Sequence, residues 1–107
     1  MGLCVFIPAG VKIKKTVNAG QTLLIPIIKT TTFETVKLLV NFKVDNKITA
    51  YELLLSNIEN DVEDAISGKL GDNLQILTNI IISGSDVVMS VTNNETSVCN
   101  VTILQLN

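Results

Sequence analysis

The sequence predicts an all-β fold, an antiparallel β-sandwich or jelly roll of about eight strands, in a single domain over residues 1–107. Three observations lead there. Apolar residues recur with a period of two, the period of a strand that buries one face. The apolar content is aliphatic: hydrophobic residues make up 47% of the chain and aromatic ones 4%, a composition suited to pleated sheets. Turn residues break the apolar runs at near-regular spacing, with no strand–helix alternation, which fits a sandwich or barrel and not a parallel α/β fold.

Taken in order, the first strand is expected at residues 3–7, ended by Pro8, Ala9 and Gly10. The second, 11–17, places Val11, Ile13 and Val17 on one face and Lys12 and Lys14 on the other, with Lys15 at its end. Lysines on an edge strand discourage edge-to-edge pairing. Asn18, Ala19 and Gly20 separate it from a strand at 22–28. Residues 35–44 give the clearest alternation: Val36, Leu38, Val40, Phe42 and Val44 against Lys37, Asn41 and Lys43, broken only by Leu39. Asp45, Asn46 and Lys47 then form a tight hairpin into a strand at 47–57. Segment 58–73 breaks the rhythm. A short helix capped at Asn60 and stopped by Gly68 is one reading; a loop with one helical turn or a short strand is preferred. Strands follow at 74–82, 86–92 and 97–105. The turn Ser83, Gly84, Ser85 and Asp86 lies between the first two, and a hairpin at Asn93, Asn94 and Glu95 precedes the last.

Several strands are apolar on both faces. Leu54 and Ala50 oppose Tyr51, Leu53 and Leu55; Leu77 and Ile81 oppose Ile80 and Ile82. The outer face of a two-layer sandwich should be polar, so one outer face is expected to be covered by segment 58–73 or by another subunit. The mean hydropathy of +0.45 favours a subunit interface over a dense monomeric core. Leu53, Leu55, Leu77 and Ile81 are the expected interface residues. No apolar run approaches the ~20 residues of a spanning helix, so no membrane role is expected, and no secretory leader is expected either. The sequons at Asn94 and Asn100 therefore carry little weight. Cys4 and Cys99 are read as buried free thiols, although a bridge would be geometrically allowed if the terminal strands were neighbours.

Chemistry is sparse. The chain has no His, which removes the commonest general base and metal ligand and every Ser-His-Asp or Cys-His arrangement within it. No phosphate-binding glycine loop is present, and two distant cysteines make no zinc site. The acids Glu34, Asp45, Glu52, Asp61, Asp64 and Asp86 show no spacing that singles out a pair, and the dense run Asp61, Glu63, Asp64 and Asp72 lacks calcium-loop spacing and reads as solvated. No enzyme activity and no cofactor are expected. Net charge is −2 with eight basic residues, all Lys, so nucleic acid is not an expected partner. Glu52 lies in an apolar strand and is expected to face solvent or an interface.

Ile48 to Leu53, Val62 to Gly71 and the hairpin Val87 to Glu95 resemble small β-sandwich proteins of tailed-bacteriophage virions. The resemblance implies a non-enzymatic structural protein on the capsid or tail: a decoration, head-fibre or tail-associated protein. It further implies a homo-oligomer with other virion proteins as partners, made in the host cytoplasm and located in the virion. The alternative is a sugar- or receptor-binding module. Phe33, beside Thr30, Thr31 and Thr32, is then the expected ligand contact.

Overall fold

The computed structural model describes residues 12–59 and 61–106. The strand expected at 3–7, the turn at Pro8 to Gly10, and Cys4 lie outside the described residues. Eight strands form: β1 (Lys12–Val17), β2 (Thr22–Lys29), β3 (Thr35–Val44), β4 (Lys47–Ile58), β5 (Asp61–Gly71), β6 (Ile76–Ser83), β7 (Asp86–Asn93) and β8 (Cys99–Gln105). They make two antiparallel sheets, one in the order β1-β8-β3-β4-β5 and the other β2-β7-β6. This is the sandwich that the period-two pattern predicts, and no helix forms among the described residues.

The alternating residues of β3, from Val36 to Val44, all point into the core. They meet Ile25, Val87, Met89 and Val91 from the smaller sheet, and Cys99, Val101 and Ile103 lie beside them on β8. In β2 the register slips between Pro26 and Ile28. The extra residue lets Ile27 and Ile28 both pack against the core, and places the proline at a bulge on an edge strand, where its missing N–H is tolerated.

Two expectations are corrected. Of the readings of segment 58–73, helix and loop fail and the short strand is right in kind but too short: the segment holds the eleven-residue strand β5, hydrogen-bonded to β4. It eluded the pattern because nearly all its residues are exposed, so no buried face writes an alternation into the sequence. Where Ala50 pairs Leu70 and Glu52 pairs Ser67, Gly68 and Lys69 together oppose Tyr51. Gly68 has φ +62, the left-handed glycine that such a bulge uses. The second correction concerns Asn93 to Glu95. This is not a hairpin, since β7 and β8 belong to different sheets. The segment carries the chain across the sandwich, and Asn93, fully buried, anchors the crossing.

The Asn93 side chain donates from Nδ2 to the carbonyls of Val17 (3.0 Å) and Ser97 (2.8 Å), and its Oδ1 accepts from the Glu95 N–H (2.9 Å). Its backbone N–H donates to Gln21 O and its carbonyl accepts from Gly20 N. Replacing Asn93 by Leu keeps the γ-branched shape and strands these partners. It should lower unfolding stability by at least about 3 kcal/mol in urea titration.

Gly71 has φ +98, and a Cβ there would lie 2.1 Å from the Ile48 carbonyl oxygen. Gly84 also has positive φ but open space around it. Gly71→Ala should therefore cost well over about 2 kcal/mol, and Gly84→Ala only the backbone strain of about 1–2 kcal/mol. Equal thermal shifts for the two variants would contradict this reading.

Candidate functional site: the outer sheet faces and the open flank

Strand pairing decides which side chains share a face. On the outer side of the larger sheet, Lys12 pairs Leu104, Leu104 pairs Leu39, and Leu39 pairs Glu52. These four residues form one row across β1, β8, β3 and β4. The adjacent rows hold Lys14, Thr102, Asn41, Ala50 and Leu70 on one side, and Lys37, Leu54 and Ala65 on the other. Leu39, Leu54 and Leu70 are 37%, 42% and 70% exposed. Leu39 stands as a ridge between two shallow hollows, one lined by Lys12, Asn41, Thr102 and Leu104, the other by Ala50, Glu52, Gly68 and Leu70.

The expected interface residues divide. Leu53 and Leu55 do not face outward: they are 2% and 0% exposed and sit in the core between the sheets. In the run Leu53-Leu54-Leu55 it is Leu54 that points out, because it pairs Lys37 and Ala65 on the outer face. Leu77 and Ile81 do lie on an outer face, that of the smaller sheet. Leu77 is exposed, and Ile81 flanks Val88, which Pro26 borders on the other side. Leu39 and Leu54 are the face residues that the sequence reading missed. Leu39 had a signal, as the one apolar residue at a polar position of its strand.

Five strands over three leave β5 without a full partner layer. Asp64, Ile66 and Lys69, on its inner side, remain exposed. Beneath them a cavity of ≈ 100 Å³ opens between the sheets, lined by Phe42, Thr49, Tyr51, Leu74, Ile76 and Thr78, with Ile66 and Lys69 at its mouth. Tyr51 stacks obliquely on Phe42, centroids 5.9 Å apart, and its hydroxyl lies 3.4 Å from Thr78 Oγ1. Burial pushes the Tyr51 phenol up. The Thr78 hydrogen bond offsets part of this, and the Asp64 charge adds to it.

Phe33 is half-buried and packs against the core instead of standing free in its loop. That loop is held by Thr32 Oγ1, which donates to Lys29 O at 2.8 Å, and by Asn57 Nδ2, which donates to Thr30 O at 2.6 Å. Glu52 is half-buried in the leucine face. Of the acidic run, Asp72 accepts the Ile48 N–H at 3.0 Å. Among the described residues no three His, Cys, Asp or Glu side chains gather as a metal site. Cys99 is a buried free thiol, and burial pushes its ionisation up as well.

Both raised groups stay protonated in the fold. Their contribution to stability is complete below the unfolded values, 9.0 for the thiol and 10.0 for the phenol. It is lost as pH rises through the folded ones, because only the unfolded chain releases the protons early. The urea midpoint should fall above pH 9 and more steeply above pH 10, with Tyr51→Phe removing the second part alone. The chain has one Tyr and no Trp, so phenolate absorbance reads Tyr51 directly and should appear later in the folded protein than in urea.

No protein-family model and no curated relative matches the chain. Part of a solved structure shares the fold. The tailspike protein of Acinetobacter phage vB_ApiP_P1 aligns with a TM-score of 0.63 at 13% identity over 90% of this chain. The chain spans about a fifth of that protein, 21% of its length. The tailspike of Acinetobacter baumannii phage AM24 aligns at 0.48 with 10% identity, over 88% of this chain and 25% of that one.

Proposed function

We propose that this chain is a non-catalytic structural domain of a phage tail, working by packing its apolar sheet faces against neighbouring virion proteins, copies of itself among them. The observation that carries the reading is the outer face of the larger sheet. Leu39, Leu54 and Leu70 are ordered on a rigid strand scaffold and left to solvent, an arrangement that a partner surface completes. The sandwich shared with part of a phage tailspike supports a place on the tail over one on the capsid. A scaffold without His, whose carboxylates are scattered over several strands and loops, suits a packing role better than hydrolysis. Many copies on one particle give avidity without a strong single contact.

Negative-stain microscopy of purified virions labelled with antibody to this chain should place it on the tail. Label confined to the capsid, or absent from intact particles, would overturn the assignment. Incubation of the chain with host surface polysaccharide should release no new reducing ends; their release would overturn the non-catalytic part.

A further inference from the structure

The row Lys12–Leu104–Leu39–Glu52 crosses four neighbouring strands in the order positive, apolar, apolar, negative. Read in reverse, the order is negative, apolar, apolar, positive. A row of this kind complements itself under a two-fold rotation. With the axis parallel to the strands and midway between β8 and β3, Lys12 of each copy faces Glu52 of the other. Leu39 of each copy then faces Leu104 of the other, above the hollow that Lys12, Asn41, Thr102 and Leu104 line. Among the described residues neither Lys12 nor Glu52 has a charged partner. Glu52 in particular is half-buried beside Leu39 and Leu70, with no ion pair among the described residues, and an opposed ammonium would give it a partner.

We infer that the outer face of the five-stranded sheet binds a second copy of this chain, face to face about that two-fold axis. The inference rests on the packing role proposed above and names the partner. Two sheets stacked this way adopt the aligned packing common in sandwiches, and the contact is isologous, so it closes at two copies. The four strands that overlap about this axis, about 4.8 Å apart and about eight residues long at about 3.3 Å each, present on the order of 500 Å². This is less than the ~800 Å² per partner of a standard stable interface, so the dimer should be reversible, with a dissociation constant of tens of micromolar.

Sedimentation equilibrium of the full chain from about 5 to 500 μM should show a monomer–dimer equilibrium. Lys12→Glu and Glu52→Lys each set like charges opposite one another twice per dimer, and should weaken association at least about tenfold. The double variant Lys12→Glu/Glu52→Lys restores both pairs in reversed order and should return the constant to within about threefold of the original. Both side chains lie outside the core, and far-UV circular dichroism checks that each variant folds. A monomer throughout the range, or a dimer unmoved by the single substitutions or not rescued by the double one, would overturn the inference. If tail labelling succeeds while the chain stays monomeric, the packing role stands and only the second copy as partner is lost.

Discussion

Asn93 is where the connections of the sandwich are tied. A two-layer β fold whose chain passes repeatedly from sheet to sheet has to bury polar backbone at its crossings, and each buried group needs a partner. Here one amide meets most of that demand at one end of the molecule. It holds the last residue of β1 through Val17, the β7–β8 crossing through Glu95 and Ser97, and, with its own backbone, the β1–β2 turn through Gly20 and Gln21. Glu95 extends the tie by accepting the Gln75 N–H just before β6. The position of the smaller sheet over the larger thus depends on a residue whose donors and acceptor are all used.

The sequence shows those parts of the fold where one face is buried and the other wet. β3 is legible because Val36, Leu38, Val40, Phe42 and Val44 write the core into every second position. β5 is illegible for the opposite reason: a strand exposed along both sides carries no alternation, and its acids and glycines read as loop. The outer face is half legible. Period two cannot tell inside from outside in Leu53-Leu54-Leu55, where every parity is apolar, and only the register against Lys37 and Leu38 assigns Leu54 outward. The crossing at Asn93 was hidden because an Asn-Asn-Glu turn looks the same whether the next strand returns to its own sheet or joins the other.

The edges of the larger sheet carry protections of different kinds. β1 presents Lys12, Lys14 and Lys15, all exposed, and two such edges repel one another. β5 presents Asp61, Glu63 and Asp64, places Lys69 on its inner side, and is bent by the bulge at Gly68. Charges and bulges of this sort keep open edges from recruiting further strands. Sheet extension is thereby discouraged, while the outer faces remain available for contact.

The pairing of β1 with β8 has a consequence for synthesis. Residues 12–17 find their hydrogen-bonding partners at residues 99–104, and β8 is also the strand that joins β1 to β3. At roughly 5–20 residues per second on the ribosome, the lysine strand emerges several seconds before its partner β8. The hairpins β3–β4 and β6–β7 can form as they appear, but the larger sheet closes only once the last strand is free. Such late, non-local closure is slow. During that interval the three lysines of β1 keep an unpaired strand soluble among many nascent copies of the same chain.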